Sequence, residues 1–166
     1  MAEYWDVYDE NRNKTGALHR RGDPFGPGER HLGVEIWTLD GQGRVLLTRR
    51  DLRKHFGGLW ECPGGSALVG EDSRTAVRRE LREETGAVPD ILMPLGVILP
   101  SPGCYGEHLH LFLARELKMG QQQPDEDEFL RLERIPFQEM VHRIMNGEIE
   151  DAKTVAAVLK AKVLLD

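Results

Sequence analysis

A chain of 166 residues, 40% apolar and 30% charged, is long enough for one domain with its own core, and a formal net charge of −6 argues against nucleic acid held on a basic surface. Cys62 and Cys104 are too few for a disulfide framework and suit a reducing compartment. The acidic start, MAEYWDVYDE, lacks the apolar stretch of a signal peptide and no apolar run reaches membrane-spanning length, so the expected location is cytoplasmic, with neither membrane nor nucleic acid as partner.

Tyr4 to Tyr8 is a short aromatic and β-branched run, and the turn-like stretch from Glu10 to Gly16 makes it part of a hairpin or small edge sheet. Arg21 to Arg30, RGDPFGPGER, is a loop rich in Gly and Pro. Residues 1–30 are therefore expected as an N-terminal arm ahead of a single domain over 31–166. His31 to Leu39 predicts a strand, Asp40-Gly41 opens a turn, and Arg44 to Arg50 completes a β-hairpin within one sheet. Asp51 to Leu59 is a loop, and Trp60 to Pro63 a short strand leading to Gly64 and Gly65. These glycines allow close approach of the backbone to a metal or phosphate, or simply a tight turn.

A helix follows, capped by Asp72 or Ser73 and ending near Gly86. Leu95 to Leu99 predicts a strand. Glu107 to Ala114 predicts another, with Leu109, Leu111 and Leu113 on one face and His108, His110 and Phe112 on the other. Phe129 to Arg134 reads as the final strand. Helices are expected over Phe137 to Met145, stopping before Gly147, and over Asp151 to Leu164, with an apolar stripe of Val155, Val158, Leu159 and Val163. This order of elements is α/β, a mixed β-sheet between helices in an α/β/α sandwich.

The chemistry concentrates on the helix after Gly65. At about 100° per residue, Glu80, Glu83 and Glu84 span an arc of roughly 100° and converge on one side of the helix. Like charges so spaced repel unless a cation sits among them. Hard oxygen donors without a histidine favour Mg²⁺, or Mn²⁺, over zinc. Arg49 and Arg50, at a strand end, are candidates for a phosphate. His108 and His110 share a strand face and could bind zinc given a third ligand. Trp5, Trp37 and Trp60 are core candidates, although Trp60 or Phe56 could stack on a nucleobase.

The spacing Gly65, five residues, Glu71, seven residues, Arg79-Glu80-Leu81, one residue, Glu83-Glu84, one residue, Gly86-Ala87 resembles the Nudix box. Ala87 departs from it, since the family usually carries a larger aliphatic residue there, and looser packing at the helix end is expected. The resemblance implies the Nudix fold and Mg²⁺-dependent cleavage of a pyrophosphate bond in a small nucleotide substrate. By position it implies metal ligands in Glu80, Glu83, Glu84 and a backbone carbonyl of Gly65 or its neighbour Gly64. Arg79 and Glu71 would brace the catalytic groups, and could pair only if Glu71 lies in the loop before the helix.

Residues SPGCYGEHLHLFLA from Ser101, PDEDEF from Pro124 and NGEIEDAKTVAAVLKA from Asn146 resemble the C-terminal half of ADP-ribose pyrophosphatases. That likeness implies Glu126 as catalytic base and Glu128 as a metal ligand, in either order. It also puts Pro102 at the subgroup's marker proline, on the substrate side. Glu107 would face the substrate too. Tyr105 stands close to a tyrosine of diadenosine polyphosphate hydrolases. The N-terminal half, EYWDVYDENRNKTGALHRRG and HLGVEIWTLDGQGRVLLTRR, resembles the branch related to isopentenyl diphosphate isomerase, which needs a catalytic cysteine. Cys62 lies two residues before the position that enzyme uses, and a small buried role suits it better. ADP-ribose or a nucleotide sugar is the expected substrate. An isomerase, or cleavage of a dinucleoside polyphosphate or a nucleoside triphosphate, are the alternatives. A homodimer is expected, because the short arm is too small to close a nucleotide pocket alone.

Overall fold

A strand buried on both faces forms the axis of the molecule, whose computed structural model describes residues 3–101, 107–123 and 131–165. In this strand only the terminal residues, His31 and Leu39, are not fully buried, as its near-continuous apolar run requires. Ahead of it, β1 (Tyr4–Tyr8) and β2 (Lys14–Arg20) pair as an antiparallel hairpin. The axial strand is β3 (His31–Leu39), followed by β4 (Arg44–Arg49), β5 (Trp60–Glu61) and β6 (Gly64–Ser66). Then come α1 (Ser73–Thr85), β7 (Ala87–Ile98), β8 (Glu107–Met119), β9 (Arg131–Pro136), α2 (Phe137–Met145) and α3 (Ala152–Leu165).

The main sheet has the order β6-β3-β8-β7; β3 runs parallel to β8, from His31 opposite Glu107 to Leu39 opposite Arg115, and the other pairs are antiparallel. Leu32, Val34 and Ile36 point to one face, where Ala76, Val77 and Leu81 of α1 cover them. Trp37 points to the other, where it joins Leu109, Leu111 and Leu113 of β8 and Met140, Ala157 and Val158 of α2 and α3. The mixed sheet thus lies between α1 and the C-terminal helices. Among the described residues, no helix is long and apolar enough to cross a membrane.

The signature helix has the expected ends. Asp72 is the N-cap, its side chain accepting from the Thr75 amide at 2.7 Å, and Gly86 takes the left-handed conformation at φ 72° beyond the last turn. Ala87 is completely buried at the start of β7, so the end of the helix is closed over a smaller residue.

Several elements differ from the sequence expectation. β3 and β4 are joined by the predicted turn but do not pair; β4 leaves for a separate antiparallel sheet of order β5-β4-β9. Local turn chemistry fixes a reversal, not which sheet the second strand joins. Gly64 and Gly65 are strand residues paired with Glu35 and Val34. β7 spans 12 residues in place of the short run from Leu95, because its cross-strand partner β8 carries it past Pro89 and Pro94, with a register shift at Pro94 and Gly96. Val163 is 80% exposed; the buried side of α3 is Thr154, Ala157, Val158 and Ala161.

The N-terminal hairpin docks through stacked rings. Trp5 lies on His31 with centroids 4.8 Å apart, and Phe25 lies on His19 at 3.7 Å and on His31 at 5.1 Å. Burial, with His19 nearby, pushes the His31 pKa down to about 4 from 6.5. The unfolded chain therefore takes up a proton here as pH falls below 6.5, while the folded chain resists until about 4. Stability from this group is present above pH 6.5 and lost on acidification. In urea titrations at about pH 7 and about pH 4.5, His31→Gln is expected to shrink the acid-induced loss of stability by roughly 2–3 kcal/mol relative to the parent chain. Equal losses in both proteins would refute this assignment.

Candidate active site

Where β6 meets β3, α1 and the start of α3, a cavity of about 320 Å³ opens between two charged walls. The first is α1, which contributes Arg79, Glu80, Glu83 and Glu84. Glu71 does lie in the loop before the helix, and Arg79 reaches it. Its Nε donates to Glu71 Oε1 at 2.9 Å and its Nη2 to Glu71 Oε2 at 3.0 Å. Nη1 donates to Glu80 at 2.9 Å and Glu83 at 3.0 Å, and Nη2 also reaches the Ser66 carbonyl at 2.9 Å. Burial opposes the charge on Arg79, but the bonds from Glu71 and the neighbouring carboxylates outweigh it and raise its pKa. The guanidinium fork is the hub of this wall, and a point-charge lysine could not match its geometry.

The glycines shape the space beside it. A Cβ on Gly65 would strike the Glu80 carboxylate, and one on Gly64 would strike the Val34 carbonyl and lie 2.8 Å from Glu35 Oε2. The Gly64 amide donates to Glu84 Oε2 at 3.2 Å. This bare strip of backbone therefore lets the two walls share one cavity.

Apart from Glu107, the second wall was not assigned to the site from the sequence. It includes Glu35, Glu61, Cys62, Glu107 and Lys153. Lys153 Nζ lies 2.8 Å from Asp151, 3.2 Å from Glu61 and 3.9 Å from Glu35. Burial disfavours its charge, but the Glu35, Glu61 and Asp151 carboxylates outweigh it and raise its pKa. Thr154 Oγ donates to Glu35 Oε1 at 2.9 Å and accepts from the Cys62 amide at 2.8 Å. Burial drives the pKa of Glu35 up, with Lys153 opposing, and burial likewise raises Glu107 and the Cys62 thiol. The signal in the sequence was Glu35 itself, an acid inside the apolar run HLGVEIW, which needs a partner in the fold.

The structure brings Glu80, Glu83, Glu84, Arg79, Gly65, Arg50 and Glu107 to the cavity. Arg50 pairs there with Glu61 at 3.4 Å. Arg49 does not line the cavity: its guanidinium lies over Trp60, 5.6 Å from the ring centroid, and Nε donates to the Gly58 carbonyl at 3.0 Å. Of the two arginines named as candidates for a phosphate, Arg50, just beyond the end of β4, lines the cavity and Arg49 turns to Trp60. Phe56 is 67% exposed and not part of the cavity lining. Pro102, Cys104, Tyr105, Glu126 and Glu128 lie outside the described residues.

Among the described residues, no group of three or more acidic, His or Cys side chains converges closely enough to hold an ion, His108 and His110 included. On α1, Arg79 Nη1 bridges Glu80 and Glu83. The donor set still suits a hard divalent cation: carboxylate oxygens on one wall, beside a glycine whose missing side chain leaves room at Glu80.

The NUDIX domain model matches residues 29–158, and the chain belongs to that family. An ADP-ribose pyrophosphatase of Bacillus subtilis is 29% identical over 132 residues, covering 78% of this chain and 71% of its own. An isopentenyl-diphosphate Delta-isomerase of Streptomyces griseus is 31% identical over 133 residues, covering 74% and 66%. Two Listeria Nudix hydrolases match at 38% and 40% identity over 91 residues, so the chain spans about half the length, 54%, of these curated relatives. A crystal structure from Deinococcus radiodurans superimposes with a TM-score of 0.72 over 95% of this chain and 98% of its own, at 23% identity, and shares the fold.

Proposed function

We propose that this protein is a divalent-metal-dependent pyrophosphohydrolase acting on a nucleoside diphosphate joined to another group, with ADP-ribose or a nucleotide sugar as substrate. The observation that carries this reading is the acidic face of α1, Glu80, Glu83 and Glu84, standing over the side-chain-free backbone of Gly64 and Gly65 in one cavity. Glu80, Glu83, Glu84 and a carbonyl of Gly65 would hold Mg²⁺ or Mn²⁺ once Nη1 of Arg79 lets go of Glu80 and Glu83. Bound there, the ion would neutralise phosphate oxygens and lower the pKa of a water. Arg79 would stay anchored through its bonds to Glu71 and Ser66, keeping the helix in register with the glycine strand.

Glu126 is our candidate to take the proton from water, with Glu128 as a further ligand. Support comes from the segment just before them: Gln122 Nε2 donates to the Glu84 carbonyl at 2.6 Å and the Gln123 amide to the Glu83 carbonyl at 2.9 Å. The chain entering the acidic stretch is thus tied to the end of α1. Glu3 and Arg21, paired at 2.6 Å, bring the N-terminal arm to the rim of the same cavity.

The test is a screen of ADP-ribose, nucleotide sugars, dinucleotides and nucleoside triphosphates with Mg²⁺ or Mn²⁺ in heavy-oxygen water. A nucleoside monophosphate and a sugar phosphate, one of them carrying the label, are expected from the first two classes. Failure to cleave any P–O–P bond with either metal would end this reading. A second reading, an isomerase of isoprenoid diphosphates, draws on Cys62 beside Glu35 and Glu107 in the cavity wall. It requires turnover without cleavage and complete loss in Cys62→Ala.

A further inference from the structure

We propose that Asp6, on the N-terminal hairpin, is a positioning residue for the metal site: it holds the turn 68–71 against β1, keeps Glu71 on Arg79, and so limits how firmly that guanidinium grips Glu80 and Glu83. This rests on the hydrolase reading above and extends its machinery to a residue that does not line the cavity.

The turn leans on the hairpin. The Glu71 amide donates to the Leu68 carbonyl at 3.0 Å, and Gly70, at φ 86°, takes the third place of the turn, where a left-handed residue is needed. The amides of the two central residues point outward, and β1 takes both. Val69 donates to the Tyr4 carbonyl at 3.0 Å, and Gly70 donates to Asp6 Oδ2 at 2.9 Å. Asp6 is itself fixed, because Lys14 Nζ on β2 donates to the same oxygen at 2.6 Å. That bond, against some burial, draws the Asp6 pKa down, so Gly70 donates to an anion.

What the turn presents is Glu71. Its carboxylate accepts from Arg79 Nε at 2.9 Å and Nη2 at 3.0 Å, and its Oε2 also accepts from the Leu68 amide at 2.9 Å. Turn and carboxylate therefore move as one. If the turn drifts from β1, Glu71 goes with it, and the guanidinium is left with Glu80, Glu83 and the Ser66 carbonyl. Glu80 and Glu83 are the acids a divalent ion needs, so ion and guanidinium compete for them. Each bond lost at Glu71 turns more of the Arg79 charge onto those two acids and raises the cost of freeing them. A plain tether between hairpin and domain would behave differently, weakening the fold while leaving the metal site as it was.

The test follows Mn²⁺ binding to the intact chain by electron paramagnetic resonance without substrate, beside Mg²⁺ titrations of turnover and a thermal melt. Asp6→Ala is expected to raise the Mn²⁺ dissociation constant, and the Mg²⁺ needed for half-maximal turnover, by roughly three- to ten-fold, part of the worth of one hydrogen bond to a charged group. The shift stays modest because the bond at Tyr4 remains. At saturating metal, kcat and the substrate KM should match the parent chain. Asp6→Asn loses the charge but keeps an oxygen for the Gly70 amide, and is expected within about two-fold of the parent. An Asp6→Ala chain with unchanged metal affinity, whatever its melt, would reduce Asp6 to a tether and overturn the proposal. Asp6→Asn as impaired as Asp6→Ala would overturn it too, since the lost charge and not the bond would be acting. Neither result touches the hydrolase reading, which the parent chain tests alone: no Mn²⁺ bound and no P–O–P bond cleaved would end both.

Discussion

Glu84→Gln is expected to reduce kcat by roughly 10²–10⁴-fold, the several kcal/mol that a metal-polarised reaction loses with one anionic ligand. The fold should be indifferent to this change. Glu84 is 8% exposed and its Oε2 accepts from the Gly64 amide, and the amide oxygen of glutamine can accept the same bond. What is lost is the charge. Glu83→Gln should behave alike, although Glu83 is more open to solvent at 34% and its carboxylate is already shared with Arg79. The measurement is steady-state turnover across a Mg²⁺ titration, with a thermal melt of each variant as control. Parent-like turnover with an unchanged melt would remove α1 from the chemistry.

Arg79→Ala should be the most destabilising single substitution in the site. Its side chain is 21% exposed and bonds Glu71, Glu80, Glu83 and the Ser66 carbonyl. Removing it leaves these acids crowded and uncompensated, a loss of about 3–5 kcal/mol by comparison with other broken buried pairs. Lysine should recover only part, since a single ammonium cannot reproduce the fork. Millimolar Mg²⁺ should raise the melting temperature of Arg79→Ala more than that of the parent, because the ion can replace the missing positive charge. Denaturant unfolding with and without the metal measures both effects. A loss below about 1 kcal/mol would mean that the helix is held without this hub.

These two residues mark the limits of what could be read from the chain alone. The α1 pattern was visible because helix caps and the spacing of its glutamates are local properties; Asp72 and Gly86 stand where the periodicity put them. The alternation in β8 was equally local and separated its leucines from Phe112 onto the two cores. The pairing of Arg79 with Glu71 could be stated only conditionally, since it depends on a loop. Sheet membership was not readable: nothing in the turn after Leu39 specifies that β4 pairs with β9, a strand roughly ninety residues later. The Lys153 wall was hidden for the same reason. Glu35 stands out as an acid in an apolar run, but only the packing of α3 against β3 supplies Lys153 as its partner. At the end of β4 the two arginines part, Arg49 lying over Trp60 and Arg50 pairing with Glu61 in the cavity, a difference that their adjacency in sequence does not reveal.

Thr154 has a consequence for motion. Its hydroxyl ties the amide of Cys62, 92 positions earlier, to Glu35, 119 positions earlier. Backbone protons held by neighbours in sequence exchange with solvent through small local openings, but this one is held by contacts that span most of the chain. The Cys62 amide should therefore keep its proton until the domain opens as a whole, making one exchange rate in the wall of the cavity a gauge of global stability.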